Sequence, residues 1–292
     1  MRFVTRSKQV LYTLCTAVTV ILGAGLLSAQ SGSYHLIQVP NSGLTAANGI
    51  NKSGEIVGFY FSNTQNQILG YLYSGGKYTT ISYEDNLVEV DGINDAGVMV
   101  GFYGATTAGP FYGFILDHGN FTTIAYPGAT ITIPEAINNK GEVVGNWSDE
   151  SGTQYMFKYV DGTFTELNVT GATRTEGVGG VNDNGETSGF YGNNGGNYGF
   201  LLSSEGELQT IEDPNDPTIT GLAGLNNNGQ AVGNWFNTNT QETNGFLWSD
   251  RKFKNINYPG ASSTYPQGIN DSSVIVGCWF NNLLEEGFYY VP

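Results

Sequence analysis

Four polar side chains recur at one place in this chain, three residues before a repeated asparagine: Asn48, Asp91, Glu135 and Gln267. Gly179 and Ala223 fill the same place in two further copies. Two carboxylates held close can divide acid and base roles, because like charges push one of the two pKa values upward. Asp91 and Glu135 could therefore serve a polar ligand, a cation or an acid–base pair, and the small residues leave space opposite them. A solvated channel lining is the plainer alternative for the same positions. A second set is aromatic. Nine residues after each asparagine stand Tyr60, Tyr103, Trp147, Tyr191, Trp235 and Trp279. Aromatic faces stack on sugar rings, so these six form a candidate ligand platform. The same spacing suits packing between structural units, the commoner use of such rings.

Other chemistry is poorly supplied. The only histidines are His35 and His118, far apart in the repeat pattern, which argues against a histidine metal site or a Ser-His-Asp triad. The turns Asn94-Asp95-Ala96-Gly97 and Asn182-Asp183-Asn184-Gly185 invite a calcium reading. Calcium wants about six to eight oxygen ligands, and each turn has too few carboxylates, so turn chemistry is the better account. No phosphate-binding loop, dinucleotide fingerprint or Cys-x-x-Cys pair occurs. The expectation is no catalytic residue, no metal and no cofactor.

The elements that must position these residues are written into the period. Ile50-Asn51, Ile93-Asn94, Ile137-Asn138, Val181-Asn182, Leu225-Asn226 and Ile269-Asn270 are spaced 43 or 44 residues apart. A period of that size marks a repeat architecture. Glycine follows three residues later in five units, with Ser273 in the sixth, and seven residues later in all six, from Gly58 to Gly277. The runs between are short, rich in Val, Ile, Thr and aromatics, and bounded by Gly and Asn, which reads as four strands per unit. The Asn-x-x-Gly step is a hairpin turn. The strand after it is apolar on both faces, as in Ile56-Val57 and Val143-Val144, so it is buried on both sides. The glycine seven residues after each asparagine is expected to leave room for a bulky neighbour from the next unit.

The sixth unit ends at Val291-Pro292 without its fourth strand. Tyr34-His35-Leu36-Ile37-Gln38-Val39-Pro40 matches the fourth strand Phe253-Lys254-Asn255-Ile256-Asn257-Tyr258-Pro259. An N-terminal strand that completes the last unit closes a ring and removes two sheet edges. The chain is therefore expected to be an all-β, six-bladed β-propeller of four-stranded blades spanning 30–292. An open β-solenoid gives no reason to split one repeat between the two termini. Two loop sets then share one face and vary in length and content: 61–69, 104–112, 148–154, 192–198, 236–244 and 280–286 after the second strands, and 84–90, 127–135, 169–177, 214–222 and 260–267 entering each blade. Variable loops on a rigid scaffold are where function tends to sit.

Residues 1–29 differ from the rest. Arg2, Arg6 and Lys8 precede an apolar stretch from Val10 to Leu27, and Ala29 suits a cleavage position, so this segment resembles a secretory signal peptide; an uncleaved membrane anchor is the alternative. Without Arg2, Arg6 and Lys8 the chain keeps eight basic against twenty-six acidic residues, a balance of about −18. That excludes nucleic acid as the expected partner and suits a secreted or cell-surface protein, extracellular or periplasmic, with no membrane contact after cleavage. Cys278 is the one cysteine beyond the leader, stands where other units carry Phe59, Phe102 or Phe190, and reads as a packing residue.

The units Gly49-Ile50-Asn51-Lys52-Ser53-Gly54-Glu55-Ile56-Val57-Gly58 and Ala136-Ile137-Asn138-Asn139-Lys140-Gly141-Glu142-Val143-Val144-Gly145 resemble the HAF-repeat family of bacterial extracellular proteins. The likeness spans the chain after the leader. The His-Ala-Phe triplet of that family is replaced here by Tyr112-Gly113-Phe114, Tyr198-Gly199-Phe200 and Asn244-Gly245-Phe246, which retain only the phenylalanine. The resemblance implies secretion and brings no catalytic residues. Three functions remain open from sequence: a non-catalytic secreted module that binds a glycan or other extracellular ligand, a carbohydrate-active hydrolase or lyase using channel carboxylates, and a structural cell-surface module.

Overall fold

The computed structural model describes residues 32–193, 195–214, 220–281 and 284–292, so the leader assigned to 1–29 lies outside the described residues. Six four-stranded antiparallel sheets succeed one another along the chain and form a six-bladed propeller. Blades one to five span 42–81, 87–124, 131–167, 174–211 and 220–255, each running from an inner strand beside the axis to an outer one. The sixth contains Ser263–Ile269, Ile275–Asn281 and Leu284–Val291, and its outer place is taken by Ser33–Ile37.

The ring is closed as the split repeat demands. Ser33 pairs with Val291 and Ile37 with Gly287, antiparallel. Ile37 is fully buried, and Ile37 and Val39 pack into a cluster with Tyr60 and Tyr71 of blade one and Val276 of blade six. The closing strand thus contributes to the seam between first and last blades as well as to the last sheet.

The glycine seven residues after each asparagine has a different cause from the one its position suggests. A Cβ on Gly101 would lie 2.1 Å from the Glu89 carbonyl, and one on Gly58 would lie 2.0 Å from the Ala46 carbonyl. The obstacle is the inner strand of the same blade, not a side chain from the next. Phenylalanine rings of the third strand add to it in several blades, as Phe157 does at Gly145.

Between blades the spacing is equally tight. A Cβ on Gly92 would sit 3.0 Å from the Ala136 Cα, and one on Gly224 would meet the Gln267 carbonyl at 2.7 Å. Inner strands therefore approach backbone to backbone around the axis, which holds the channel to a fixed width.

Candidate functional site

Every inner strand carries a β-bulge at the residue three before the asparagine, and those of blades one and four carry a second register shift nearer their start. The shared register shifts fall between Ala47 and Gly49, Val90 and Gly92, Pro134 and Ala136, Val178 and Gly180, Leu222 and Gly224, and Pro266 and Gly268. A bulge re-aims the unpaired side chain. Here it brings Asn48, Asp91, Glu135, Gly179, Ala223 and Gln267 to the wall of one central cavity of about 610 Å³.

The four polar residues expected from sequence do share that wall. Asn48 Nδ2 donates to Asp91 Oδ1 at 3.0 Å and to the Val90 carbonyl at 3.2 Å, linking blades one and two. Glu135 Oε1 accepts from Asn146 Nδ2 at 3.1 Å, and Asn146 also meets both backbone groups of Val178 on blade four. Gln267 lies against the Cys278 thiol, whose pKa is raised well above its usual value by burial, then by the nearby Glu285 charge, against a lowering hydrogen bond from Gln267. The thiol stays neutral and is a poor nucleophile.

Sequence reasoning missed Glu89, Asn146 and Glu285, which also line the cavity. Glu89 is two residues before Asp91 on the same strand face, a signal that was available. Glu285 lies within the variable segment 280–286, across the hairpin from Phe280. Burial raises its carboxyl pKa to about 7. The group is neutral more readily in the folded chain than in the unfolded one. Its contribution to stability is therefore fully present below the ordinary value of 4.5 and lost as pH rises through about 7. Glu285→Gln is expected to raise stability at pH 8 by about 1–2 kcal/mol and to change it little at pH 4, as read by urea melts at both pH values. Equal effects at the two pH values would contradict this assignment.

The six aromatics do not gather at the cavity. Tyr60, Tyr191, Trp235 and Trp279 are buried within or between blades, and Tyr103 and Trp147 are half-buried. The tyrosine hydroxyls of residues 60, 103 and 191 meet Thr80, Thr123 and Thr210 of the outer strands at 2.9 Å. Trp147 stacks on Tyr126 at 4.1 Å and on Tyr155 at 4.4 Å, and Trp279 stacks on Tyr258 at 4.5 Å. The expected aromatic platform is corrected accordingly: strand alternation points position nine away from the axis and positions eight and ten toward it. The aromatic rings that do line the cavity include Phe59, Phe102, Phe190, Phe236 and Phe280, with Phe111 and Tyr265.

One end of the cavity is ringed by the motif that defines the repeat. Ile50, Ile93, Ile137, Val181, Leu225 and Ile269 form an apolar collar that lines both this cavity and a smaller space of about 70 Å³ beyond it. Next to the collar, the six asparagines form a closed belt. Asn51 Nδ2 donates to the Asn94 carbonyl, Asn94 to Asn138, Asn138 to Asn182, Asn182 to Asn226, Asn226 to Asn270, and Asn270 back to Asn51, at 2.9–3.4 Å. Each Oδ1 meanwhile accepts from the backbone of its own hairpin, as Asn138 does from Lys140 and Glu142 at 3.0 Å. A side chain that accepts at one end and donates at the other is required, which aspartate cannot supply.

A second set of amide–carboxylate bonds forms an arc outside the first. Asn139 Nδ2 bridges Asp95 and Asp183, and Asn227 Nδ2 bridges Asp183 and Asp271, at 2.9–3.1 Å. The carboxylates that suggested calcium are hydrogen-bonded to these amides and to backbone N–H groups. Among the described residues no group of three or more His, Cys, Asp or Glu is placed to hold a metal ion. No described helix is long and apolar enough to cross a membrane. At the other end the cavity meets the variable loops, several of which reach it through Thr107, Gln154, Asn197, Thr243 and Glu285.

No protein-family model matches the chain, and no curated protein sequence matches it. Solved propellers are similar in fold. A catalytically inactive virginiamycin B lyase from Staphylococcus aureus, with quinupristin, superposes at a TM-score of 0.53 and 11% identity over 90% of this chain and 100% of that one. A gluconolactonase from Xanthomonas campestris gives 0.51 and 11% over 86% and 87%. The propeller domain of the Trilobed protease from Pyrococcus furiosus gives 0.52 and 13% over 86% and 81%. That domain is described as having an open velcro topology, whereas the ring here is closed by its N-terminal strand. At these identities the likeness is one of fold: the chain is a β-propeller module.

Proposed function

We propose that the chain is a secreted, non-catalytic binding module that admits one small extracellular ligand, a glycan or another polar molecule, into its central cavity. The observation that carries this reading is the asymmetry of the channel. One end is ringed by the collar and the asparagine belt, with the bulge-directed side chains in the layer beside the collar, and the other end meets the variable loops. A purely structural module has no need of an enclosed space of about 610 Å³, a size within the ~300–1,000 Å³ usual for small-molecule sites. Secretion is supported by the leader-like segment and the acidic balance. Mass spectrometry of exported protein tests it, with a mature N-terminus near Gln30 expected and full-length protein in the membrane fraction contradicting it.

A second reading is a carbohydrate-active hydrolase or lyase. It is favoured by Glu285, whose pKa of about 7 suits a general acid near neutral pH, and by the lyase and lactonase activities that the descriptions of two similar propellers carry. A glycan array on the exported protein, followed by incubation of any bound glycan and product analysis, separates the two. Binding without turnover supports the module. New products that disappear in Glu285→Gln support the enzyme.

A further inference from the structure

We infer, on the reading that the central cavity is a ligand site, that its ligand is a small organic cation: an amine or ammonium head on an apolar body. The cavity wall is acidic and apolar, with no basic side chain. Glu89, Asp91 and Glu135 come from blades two and three and Glu285 from blade six, while no lysine, arginine or histidine is among the described residues that line it. Blades four and five present no charge there: Val178, Phe190, Leu222 and Phe236 stand with neutral Asn234 and Thr243.

Each feature narrows the ligand. A cation placed among carboxylates in a largely apolar space is attracted more strongly than it would be in water. An anion would be repelled. A bare metal ion is a poor match, because the described acids form no cluster of coordinating geometry and the space is far larger than one ion needs. Aromatic rings line the wall at several heights, and the negative face of a ring attracts an ammonium group. Between the carboxylates, Phe59, Phe102, Phe190, Leu222 and Phe236 offer apolar contact to a hydrocarbon or aromatic body. A head-and-body cation uses both the carboxylate charge and the apolar surface; a neutral sugar does not use the charge.

The test compares cations with neutral molecules of the same shape. The full exported chain is titrated calorimetrically with choline and its uncharged isostere 3,3-dimethylbutanol, and with phenethylamine and phenethyl alcohol. Glucose and gluconate serve as the polyol and anion. At least one cation should bind about tenfold more tightly than its neutral partner, a contrast of ~1.4 kcal/mol. That contrast should shrink severalfold in Glu89→Gln and in Asp91→Asn, each near-isosteric and checked by melting. Neutral partners binding as tightly as the cations would overturn the inference. So would glucose or gluconate binding alone; if that binding weakens in Asp91→Asn, the cavity is still the site and only the ligand class is wrong. No binding by any of the six overturns the cation and counts against the cavity as well.

Discussion

A chain lacking residues 31–40 is expected to melt at least ~10 °C below the full-length protein and to self-associate. The deletion removes a five-residue ladder against the last strand. It also removes Ile37 and Val39 from the cluster they share with Tyr60, Tyr71 and Val276. Each buried aliphatic side chain is worth about 1.5–3 kcal/mol, against a total stability of about 5–15 kcal/mol. Tyr34, which packs edge-on against Tyr258 at 5.4 Å, goes with them. The freshly exposed edge of Leu284–Val291 is a template for a second chain. Thermal melts and light scattering report both effects. A truncated chain that melts with the parent and stays monomeric would mean that closure is not where the ring gets its stability.

The second large effect belongs to the asparagine belt. Asn138→Asp keeps the shape of the side chain and removes its donors. The bonds to the Asn182 carbonyl at 2.9 Å and to Glu142 Oε2 at 2.7 Å are lost, and a new negative charge faces the Glu142 carboxylate. Glu142 also pairs with Lys158 at 2.8 Å. That partner lowers its pKa through hydrogen bonding and charge, against a burial penalty that is the largest single influence. Glu142 therefore stays ionised and the repulsion is real. The Asn182 carbonyl keeps the Gly185 N–H at 3.0 Å, so each lost bond costs about 0.5–1.5 kcal/mol, and with the like charge the total should reach about 2–4 kcal/mol. Asn139→Ala, one residue further out and exposed, should cost under about 1 kcal/mol. Urea melts of both variants check this. Similar losses in the two would remove the belt's special standing.

Much of the ring was legible because its rules are local and repeated. The Asn-x-x-Gly turn, the doubly buried second strand and the strand displaced from one terminus to the other each follow from residue types in order. The four polar cavity residues were legible for the same reason: a fixed offset from the asparagine fixes which residue bulges. What was not legible depended on which neighbour fills a space. The glycine seven residues on appeared to make room for an adjacent blade, yet Gly101 is required by the Glu89 carbonyl of its own blade. The aromatics nine residues on looked like a platform, yet Trp147 lies between Tyr126 and Tyr155. One step in register decides whether a ring faces the channel or the next sheet, and periodicity alone does not give that step. Glu285 was hidden because its hairpin varies in length and content among the units, the same place being Ile68, Gln154, Asn197 and Thr243 in four others. The asparagine belt was hidden because its bonds join residues 43 or 44 apart and, at the seam, Asn270 to Asn51.

The central claim is that ligand binding depends on the polar residues of the central cavity. The most direct measurement is a calorimetric titration of the tightest compound found by array or isostere comparison against the parent and Asp91→Asn/Glu135→Gln. The account predicts unchanged melting and affinity weakened by about 1–3 kcal/mol, roughly five- to hundredfold, because ligand groups lose their partners in an enclosed site. Equal affinity in parent and double variant would contradict it and move the search to the outer surface of the loops.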